Sequence, residues 1–325
     1  MEDISNHEKS SEDITPITPS SSINYDSYNY ERDNTNNLYV QSIMNKSCVC
    51  DKEEKCSCKS EDSKVLSHSY VYAIGKIVYR FPSKSLEMEL AQVIGNRSEK
   101  ETKGLTREEI SYQALIDPTN RYLARQLCYV MKIENIETYI LIPTDPLDID
   151  KFVQAVRTIP EPRDIDVIIG RRGPIASPET CNGLMLPIVM VDQIYSFDRE
   201  SLIEAIPRKT GTSNQQFSKT SSVLFNQILQ IADNAGATNE HRALNYLAVR
   251  YEKIYEQTQL MQDENYSFTG VEVRPSRLSG LRNVVDVIIS YENRSNRAIR
   301  KWFVRVDVTE EFPFLVSPIQ EYFER

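Results

Sequence analysis

The sequence predicts an α+β fold with mixed or antiparallel sheets and packed helices. Strand-like and helix-like stretches alternate along the chain, and short turns join several of the strand-like stretches as hairpins. Apolar residues make up 40% of the 325 residues, which is enough to bury a sizeable core. Because hairpins join antiparallel strands, the pattern favours α+β over a doubly wound parallel sheet.

The first 68 residues differ from the rest of the chain. They contain no glycine, carry 13 acidic and 7 basic side chains, and show neither a helical nor a strand period. We therefore expect a disordered acidic tail over residues 1–68 and a folded region over residues 69–325. A second interpretation stays open, in which the tail's tyrosines order on a partner. These are Tyr25, Tyr28, Tyr30 and Tyr39.

The folded region begins with β structure followed by helices. The run YVYAIGKIVYRF predicts a strand pair, or one long strand with a bulge or bend at Gly75. Helices are expected from Ser85, over SLEMELAQVI, and over TREEISYQALI. Thr106 and Glu109 stand three residues apart, as in a capping box, so the second helix begins there.

The middle of the chain predicts a hairpin, a helix and a buried strand. Two β-rich runs between Leu123 and Pro143 are joined by Glu134 and Asn135, which predicts a hairpin. The segment DPLDIDKFVQAVR predicts a helix, and DIDVIIG predicts a short strand ended by Gly170. A longer buried strand, LMLPIVMVDQIYSF, and a helix over RESLIEAI are expected next.

Residues 207–222 have the composition of a linker, PRKTGTSNQQFSKTSS. They divide the folded region into predicted subdomains 69–206 and 223–325. After the linker, VLFNQILQIADNA and NEHRALNYLAVRYEKIYEQTQ have helical spacing. The chain then returns to β structure in VVDVIISY and in the alternating run around Trp302.

Composition and charge exclude several functional classes. The start of the chain is polar and acidic, so we expect no secretory signal, and no segment reaches the roughly 20 apolar residues of a membrane span. The predicted location is therefore cytoplasmic, away from membranes. An isoelectric point near 5.1 without a basic stripe argues against nucleic acid, and favours a peptide or protein partner.

Four cysteines in the tail have spacing suited to a metal ion. Cys48, Cys50, Cys56 and Cys58 could surround one zinc ion with thiolates, which nearby lysines would stabilise. The close C-x-C spacing also leaves free cysteines as an open alternative. In a reducing cytosol all six cysteines of the chain are expected as thiols or metal ligands rather than disulfides.

Catalytic groups are sparse in the folded region. Cys181 lies in a predicted loop and His241 is the one histidine of residues 69–325, so this pair is the available cysteine nucleophile and base. Cys128 is expected as a small buried apolar residue. The sequence has no serine-hydrolase elbow and no glycine-rich phosphate loop. These observations leave Cys181 and His241 as weak catalytic candidates.

Polar residues in turns beside apolar strands form a candidate binding set. Arginines in such loops could hold a carboxylate or an acidic peptide through paired hydrogen bonds, or form salt bridges within the fold. The candidate binding residues are Arg171, Arg172, Asn182, Arg274 and Arg277, with Asp192 and Arg282 beside them.

Several strings of the folded region resemble one known domain. They include YAIGKIVYRFPS, DIDVIIGRRGPIASPETCNGLMLPIVMVDQIYSFDRESLIEAIP, ADNAGATNEHRALNYLAVRYEKIY and VEVRPSRLSGLRNVVDVIISYENR. From about Tyr70 onward the chain is similar to the C-terminal domain of the PatG/PatA-type cyanobactin maturation proteases. The subtilisin-like protease domain of that family has no counterpart here, so the resemblance carries over no catalytic residue.

The resemblance implies a pathway in which ribosomal precursor peptides are cut and macrocyclised. We expect a non-proteolytic accessory or binding module that engages a precursor peptide or a partner maturation protease. A homodimer, assisted by zinc in the tail, is a further expectation. The alternative from another class is an unrecognised peptide-modifying enzyme that uses Cys181 or His241.

Overall fold

A computed structural model describes residues 69–157, 164–198, 214–230 and 233–323. These residues lie within one compact unit, Val65–Arg325. The predicted tail, residues 1–68, and the predicted helix RESLIEAI lie outside the described residues. Helices and two mainly antiparallel sheets confirm the α+β prediction. No helix in the described ranges has the length and apolar character needed to traverse a bilayer.

The N-terminal half forms a closed barrel with strand order β1-β2-β3-β5-β4. Neighbouring strands are antiparallel except β3 and β5, which are parallel. The strands are β1 Tyr70–Arg80, β2 Cys128–Ile133, β3 Ile136–Pro143, β4 Asp164–Ile175 and β5 Pro187–Asp198.

Strand β1 is one long strand that changes partner in its middle. Residues 70–75 pair with β4 and residues 76–80 pair with β2. A Cβ on Gly75 would lie 2.2 Å from the carbonyl oxygen of Lys132, so only glycine fits. Past the change, the Ile77 amide donates to Asp166 Oδ2 at 2.7 Å. The long-strand form of the prediction is therefore confirmed.

The helices between Lys84 and Ala155 pack against the barrel strands, and their buried apolar side chains form a hydrophobic cluster together. Thr106 and Glu109 form the predicted capping box at the start of the third helix. The helices of this half are α1 Lys84–Gly95, α2 Glu99–Thr102, α3 Arg107–Ile116, α4 Arg121–Gln126 and α5 Ile149–Ala155.

The hairpin between β2 and β3 is confirmed at its turn. Glu134 and Asn135 have φ of 49° and 68°, the left-handed pair that a two-residue turn needs. Its start was predicted wrongly, because residues 123–126 belong to α4 and the strand begins at Cys128. Strand β4 also continues past Gly170 to Ile175.

The C-terminal half joins helices to a four-stranded sheet of order β6-β7-β8-β9. Its helices are α6 Asn214–Leu229, α7 Asn239–Arg250 and α8 Lys253–Asp263. Its strands are β6 Tyr266–Pro275, β7 Val284–Asn293, β8 Ile299–Asp307 and β9 Phe314–Glu321.

The two halves share one hydrophobic core. Residues of β1 and β4, such as Tyr72 and Val167, pack in the same cluster as α6, α7 and the inner face of the C-terminal sheet. The predicted linker is wrong over residues 214–222, which form the first turns of α6 and bury Phe217. Residues 207–213 lie outside the described residues.

Candidate functional site

The structure divides the predicted arginine set between two regions. Arg171 and Arg172 lie on β4, and Asn182 lies in the β4–β5 loop, residues 176–186, with a φ of 48°. Arg274 is the penultimate residue of β6, and Arg277 lies in the β6–β7 loop, residues 276–283. Arg171, Arg172 and Asn182 therefore belong to the barrel half, and Arg274 and Arg277 to the C-terminal sheet.

Three of the arginines are held by ion pairs inside the fold. Arg171 directs Nε and Nη2 to the two carboxylate oxygens of Asp192, at 3.2 and 3.3 Å. Arg274 pairs with Glu272, and Arg282 pairs with Asp307. Because Arg172 and Arg277 are exposed, they remain the candidates best placed to meet a partner.

Both regions border the β8–β9 loop, residues 308–313. One buried cation, Arg242 of α7, fastens this loop from inside: its Nη1 donates to the carbonyl of Val308 at 2.6 Å. Its Nη2 donates to the carbonyls of Glu310 and Glu311, the latter at 3.1 Å. The guanidinium also lies over the Tyr70 ring, 5.2 Å from its centroid. Burial lowers the pKa of Arg242 to about 10, so the clamp stays charged at neutral pH.

A pair of carboxyl groups joins the same loop to the barrel. Asp192 of β5 lies within hydrogen-bonding reach of Glu311. Burial, and then Asp192 itself, raise the pKa of Glu311 to about 7. Burial alone would raise the pKa of Asp192, but hydrogen bonds with Glu311, Thr144 and Arg171 lower it. The pair is therefore suited to share one proton.

On its other side the β8–β9 loop is bonded to the β6–β7 loop. The Val308 amide donates to the carbonyl of Asn283, and the Asn283 amide donates to Thr309 Oγ1, both at 2.8 Å. Arg282 pairs with the buried carboxylate of Asp307, whose pKa is lowered by Arg282 and Thr309 against the effect of burial. The two loops therefore behave as one unit at the end of the sheet.

Large apolar side chains are exposed on these loops and on β9. Each is at least 44% exposed, and we call the five residues the apolar rim. Arg282 lies over the Phe314 ring at 5.2 Å, which places a cation within the rim. Clustered exposed apolar side chains are typical of surfaces that bind a partner. The rim consists of Leu278, Leu281, Phe312, Phe314 and Val316.

Cys181 does not carry a free thiol in this structure. It is 1% exposed and forms a disulfide with Cys128, with the two Cα atoms 5.8 Å apart. The expectation of thiols at these two positions is therefore wrong, and Cys181 is not available to His241 as a nucleophile. The disulfide holds the β4–β5 loop against a small cluster that includes Val130, Ile140 and Ile188.

His241 lies in the first turn of α7. Its amide donates to Thr238 Oγ1, the N-cap of the helix, at 3.2 Å. Burial lowers the pKa of its imidazole, so the neutral ring is favoured at neutral pH. These contacts fit a helix-start residue and provide no partner thiol.

The four tail cysteines, Cys48, Cys50, Cys56 and Cys58, lie outside the described residues, so the zinc site stays a prediction. Within the described ranges, no group of three or more His, Cys, Asp or Glu side chains could hold a metal ion.

A cavity of about 200 Å³ opens beside the partner change of β1. Asp166 lines it, accepting hydrogen bonds from the Ile77 amide at 2.7 Å and from Ser196 Oγ at 2.5 Å. Arg157 Nη1 is 3.8 Å from the same carboxylate. Because these partners satisfy Asp166, we interpret it as a structural residue of the barrel.

Arg242 and Glu311, the residues central to the site, were not predicted from the sequence. One sequence signal pointed to Arg242: it lies on the same helical face as the buried apolar residues of α7, which indicates a buried cation. Glu311 gave no signal, since its partner Asp192 is distant in the sequence and reaches it only in the folded chain.

The fold defines the class of protein as an α+β domain in which a barrel and a sheet share one core. The β6–β7 and β8–β9 loops are bonded to each other at the surface of this core. The family described as "PatG C-terminal" matches residues 211–322. A solved structure described as "PatG Domain of Unknown Function" is similar with a TM-score of 0.62 and 18% identity. That match covers 78% of this chain and 99% of the other. Together they confirm the predicted resemblance to a PatG C-terminal-type domain. Among curated proteins no match is found.

Proposed function

We propose that this protein is a non-proteolytic accessory module of cyanobactin-like ribosomal peptide biosynthesis. It binds a precursor peptide or a partner maturation enzyme through the apolar rim. The observation that carries the proposal is the rim itself: five exposed apolar side chains on β9 and on loops that the Arg242 hydrogen bonds and the Arg282–Asp307 ion pair hold in place. The pathway is supported by the similarity to PatG C-terminal domains.

Ordered loops make the rim suited to binding. Because Arg242 and Asp307 hold the backbone of the β8–β9 loop, the loop loses little conformational freedom when a partner docks, which lowers the entropic cost of association. Exposed Arg277 adds positive charge beside the apolar groups, whereas the charge of Arg282 is balanced by Asp307. The expected binding segment therefore combines apolar side chains with carboxylates.

Affinity measurements with rim variants test this proposal. The full chain is titrated by calorimetry with a synthetic precursor peptide, and separately with a cyanobactin-type maturation protease. Replacing one central apolar contact with a charge weakens such interfaces by tenfold or more. We expect that loss for Leu281→Asp and for Phe314→Asp.

The matched control is Ile136→Asp, which changes an apolar residue of the β2–β3 hairpin whose exposure, 69%, lies between those of Leu281 and Phe314. It should bind like the wild type. Binding of the peptide alone identifies it as the partner, and binding of the protease alone identifies the enzyme. The proposal is wrong if neither binds, or if the rim variants and the control bind equally well.

A further inference from the structure

The carboxyl pair joins two parts of the fold that have no strand pairing between them. Asp192 belongs to β5 of the barrel, and Glu311 belongs to the β8–β9 loop of the C-terminal sheet. Both carboxyl groups have other contacts that fix their positions. Arg171 donates two hydrogen bonds to Asp192, and Arg242 donates to the backbone carbonyls of the loop that carries Glu311. The pair therefore connects two positioned groups across a junction.

One oxygen of this pair lacks a donor. Glu311 Oε1 is buried and accepts no hydrogen bond, although the Glu311 side chain lies within hydrogen-bonding reach of the Asp192 carboxyl group. Two ionised carboxylates cannot bond to each other, since neither has a hydrogen to donate. A proton on either group supplies the missing donor and removes the like-charge repulsion.

We propose that Asp192 and Glu311 form a proton-operated latch that holds the β8–β9 loop on the barrel. With one proton shared, the pair bonds and the loop stays docked. When the proton leaves, two carboxylates face each other and the loop opens more often. The latch does not depend on the proposed function. Only its control of partner binding rests on that function, because the loop carries Phe312 of the rim.

The groups around the pair set where the latch operates. Arg171 of β4 and Arg242 of α7 favour the ionised form, and burial with the neighbouring carboxylate favours the protonated form of Glu311. Thr144, after β3, bonds to Asp192, while Glu310 of the same loop and Tyr70 of β1 act on Arg242. Burial and Asp192 prevail, since the pKa of Glu311 rises from 4.5 to about 7.

The direction of the pH effect follows from this raised value. Below pH 4.5 Glu311 is protonated in both the docked and the open loop, so pH has no effect through this group. Between 4.5 and about 7 the open loop loses the proton and the docked loop keeps it. Opening therefore increases with pH across this interval and levels off above it.

Hydrogen exchange of the amides of residues 308–312 measures loop opening. The full chain is compared at about pH 5 and about pH 7.5, with rates corrected for intrinsic exchange. We expect protection in the wild type to fall on the order of tenfold at the higher pH, because Glu311 is partly exposed to solvent. In Glu311→Gln the amide donates to Asp192 at either pH, so protection should stay constant.

The matched control, Glu310→Gln, removes the same charge from the adjacent exposed side chain and should keep the pH response. Carboxyl NMR of the wild type should place the Glu311 titration near 7, and Asp192→Asn should move it towards 4.5. Equal pH responses in the wild type and Glu311→Gln, or a wild-type titration near 4.5, would overturn the latch. Loss of peptide affinity tests only the proposed function, so the two failures are distinguishable.

Discussion

Arg242 Nη1 donates a hydrogen bond to the carbonyl oxygen of Val308 at 2.6 Å, across 66 positions of the sequence. One buried guanidinium thereby fastens α7, at the centre of the shared core, to the loop that carries part of the apolar rim. A buried charge is costly unless it is hydrogen-bonded, and both terminal nitrogens of this guanidinium donate to loop carbonyls. The loop's outward-facing side chains therefore depend on an interaction made inside.

Replacing Arg242 should destabilise the fold strongly. Arg242→Met leaves three loop carbonyls without their donor, and we expect a loss of about 3 kcal/mol in the free energy of unfolding, measured by urea denaturation. Arg242→Lys should lose less, because it keeps the charge without the fork. Arg277→Met, at an exposed position, is the control and should change stability by less than about 0.5 kcal/mol. Equal effects at both positions would contradict the clamp.

Gly236 should not tolerate a side chain. Its φ is +71°, and a Cβ there would lie 2.2 Å from the carbonyl oxygen of Tyr72 on β1. Gly236→Ala should therefore cost more stability than the backbone strain alone, which is about 1–2 kcal/mol. The midpoint of thermal unfolding measures this loss. Gly183→Ala is the control, since φ is +87° with open space around it. If both variants lose the same stability, the close approach to β1 has no energetic effect.

The Cys128–Cys181 disulfide should stabilise the oxidised protein. It closes a loop with a sequence separation of 53, for which removal costs about 2–4 kcal/mol. We expect this loss when guanidinium denaturation compares the wild type with the double variant Cys128→Ala and Cys181→Ala. The double variant should not respond to a reductant, whereas the wild type should. A reductant effect that persists without these cysteines would refute this assignment.

Zinc in the N-terminal tail remains a prediction from sequence spacing. Native mass spectrometry of the reduced protein should find one zinc ion per chain, lost when Cys48, Cys50, Cys56 and Cys58 are changed to Ser. The same spectra report whether the chain is a dimer and whether chelation dissociates it. A metal-free wild type would remove the zinc prediction and the dimer role attached to it.

Local chemistry allowed part of the fold to be predicted. The capping box of Thr106 and Glu109 and the left-handed turn at Glu134 and Asn135 act over two to four residues, so the sequence shows them directly. The helix before β2 was missed although Leu, Ala, Arg and Gln favour helices, because six residues are too few to show a helical period.

Long-range contacts explain what the sequence did not reveal. The segment before Val223 has linker composition, yet Phe217 packs into the shared core and α6 extends over it. Arg171 and Arg274 were predicted as members of a binding set, but each forms an ion pair with a carboxylate of the same chain. The junction of Arg242 with the loop around Glu311 joins residues 69 positions apart, and no local pattern encodes such a contact.

Binding through the apolar rim is the central claim, and a hydrogen-exchange footprint tests it most directly. The full chain is measured with and without saturating precursor peptide, and again with the maturation protease. The account predicts that at least one partner increases protection in residues 276–283 and 308–317, and leaves the β4–β5 loop unchanged. Protection confined to other described segments, or no change with either partner, would contradict it.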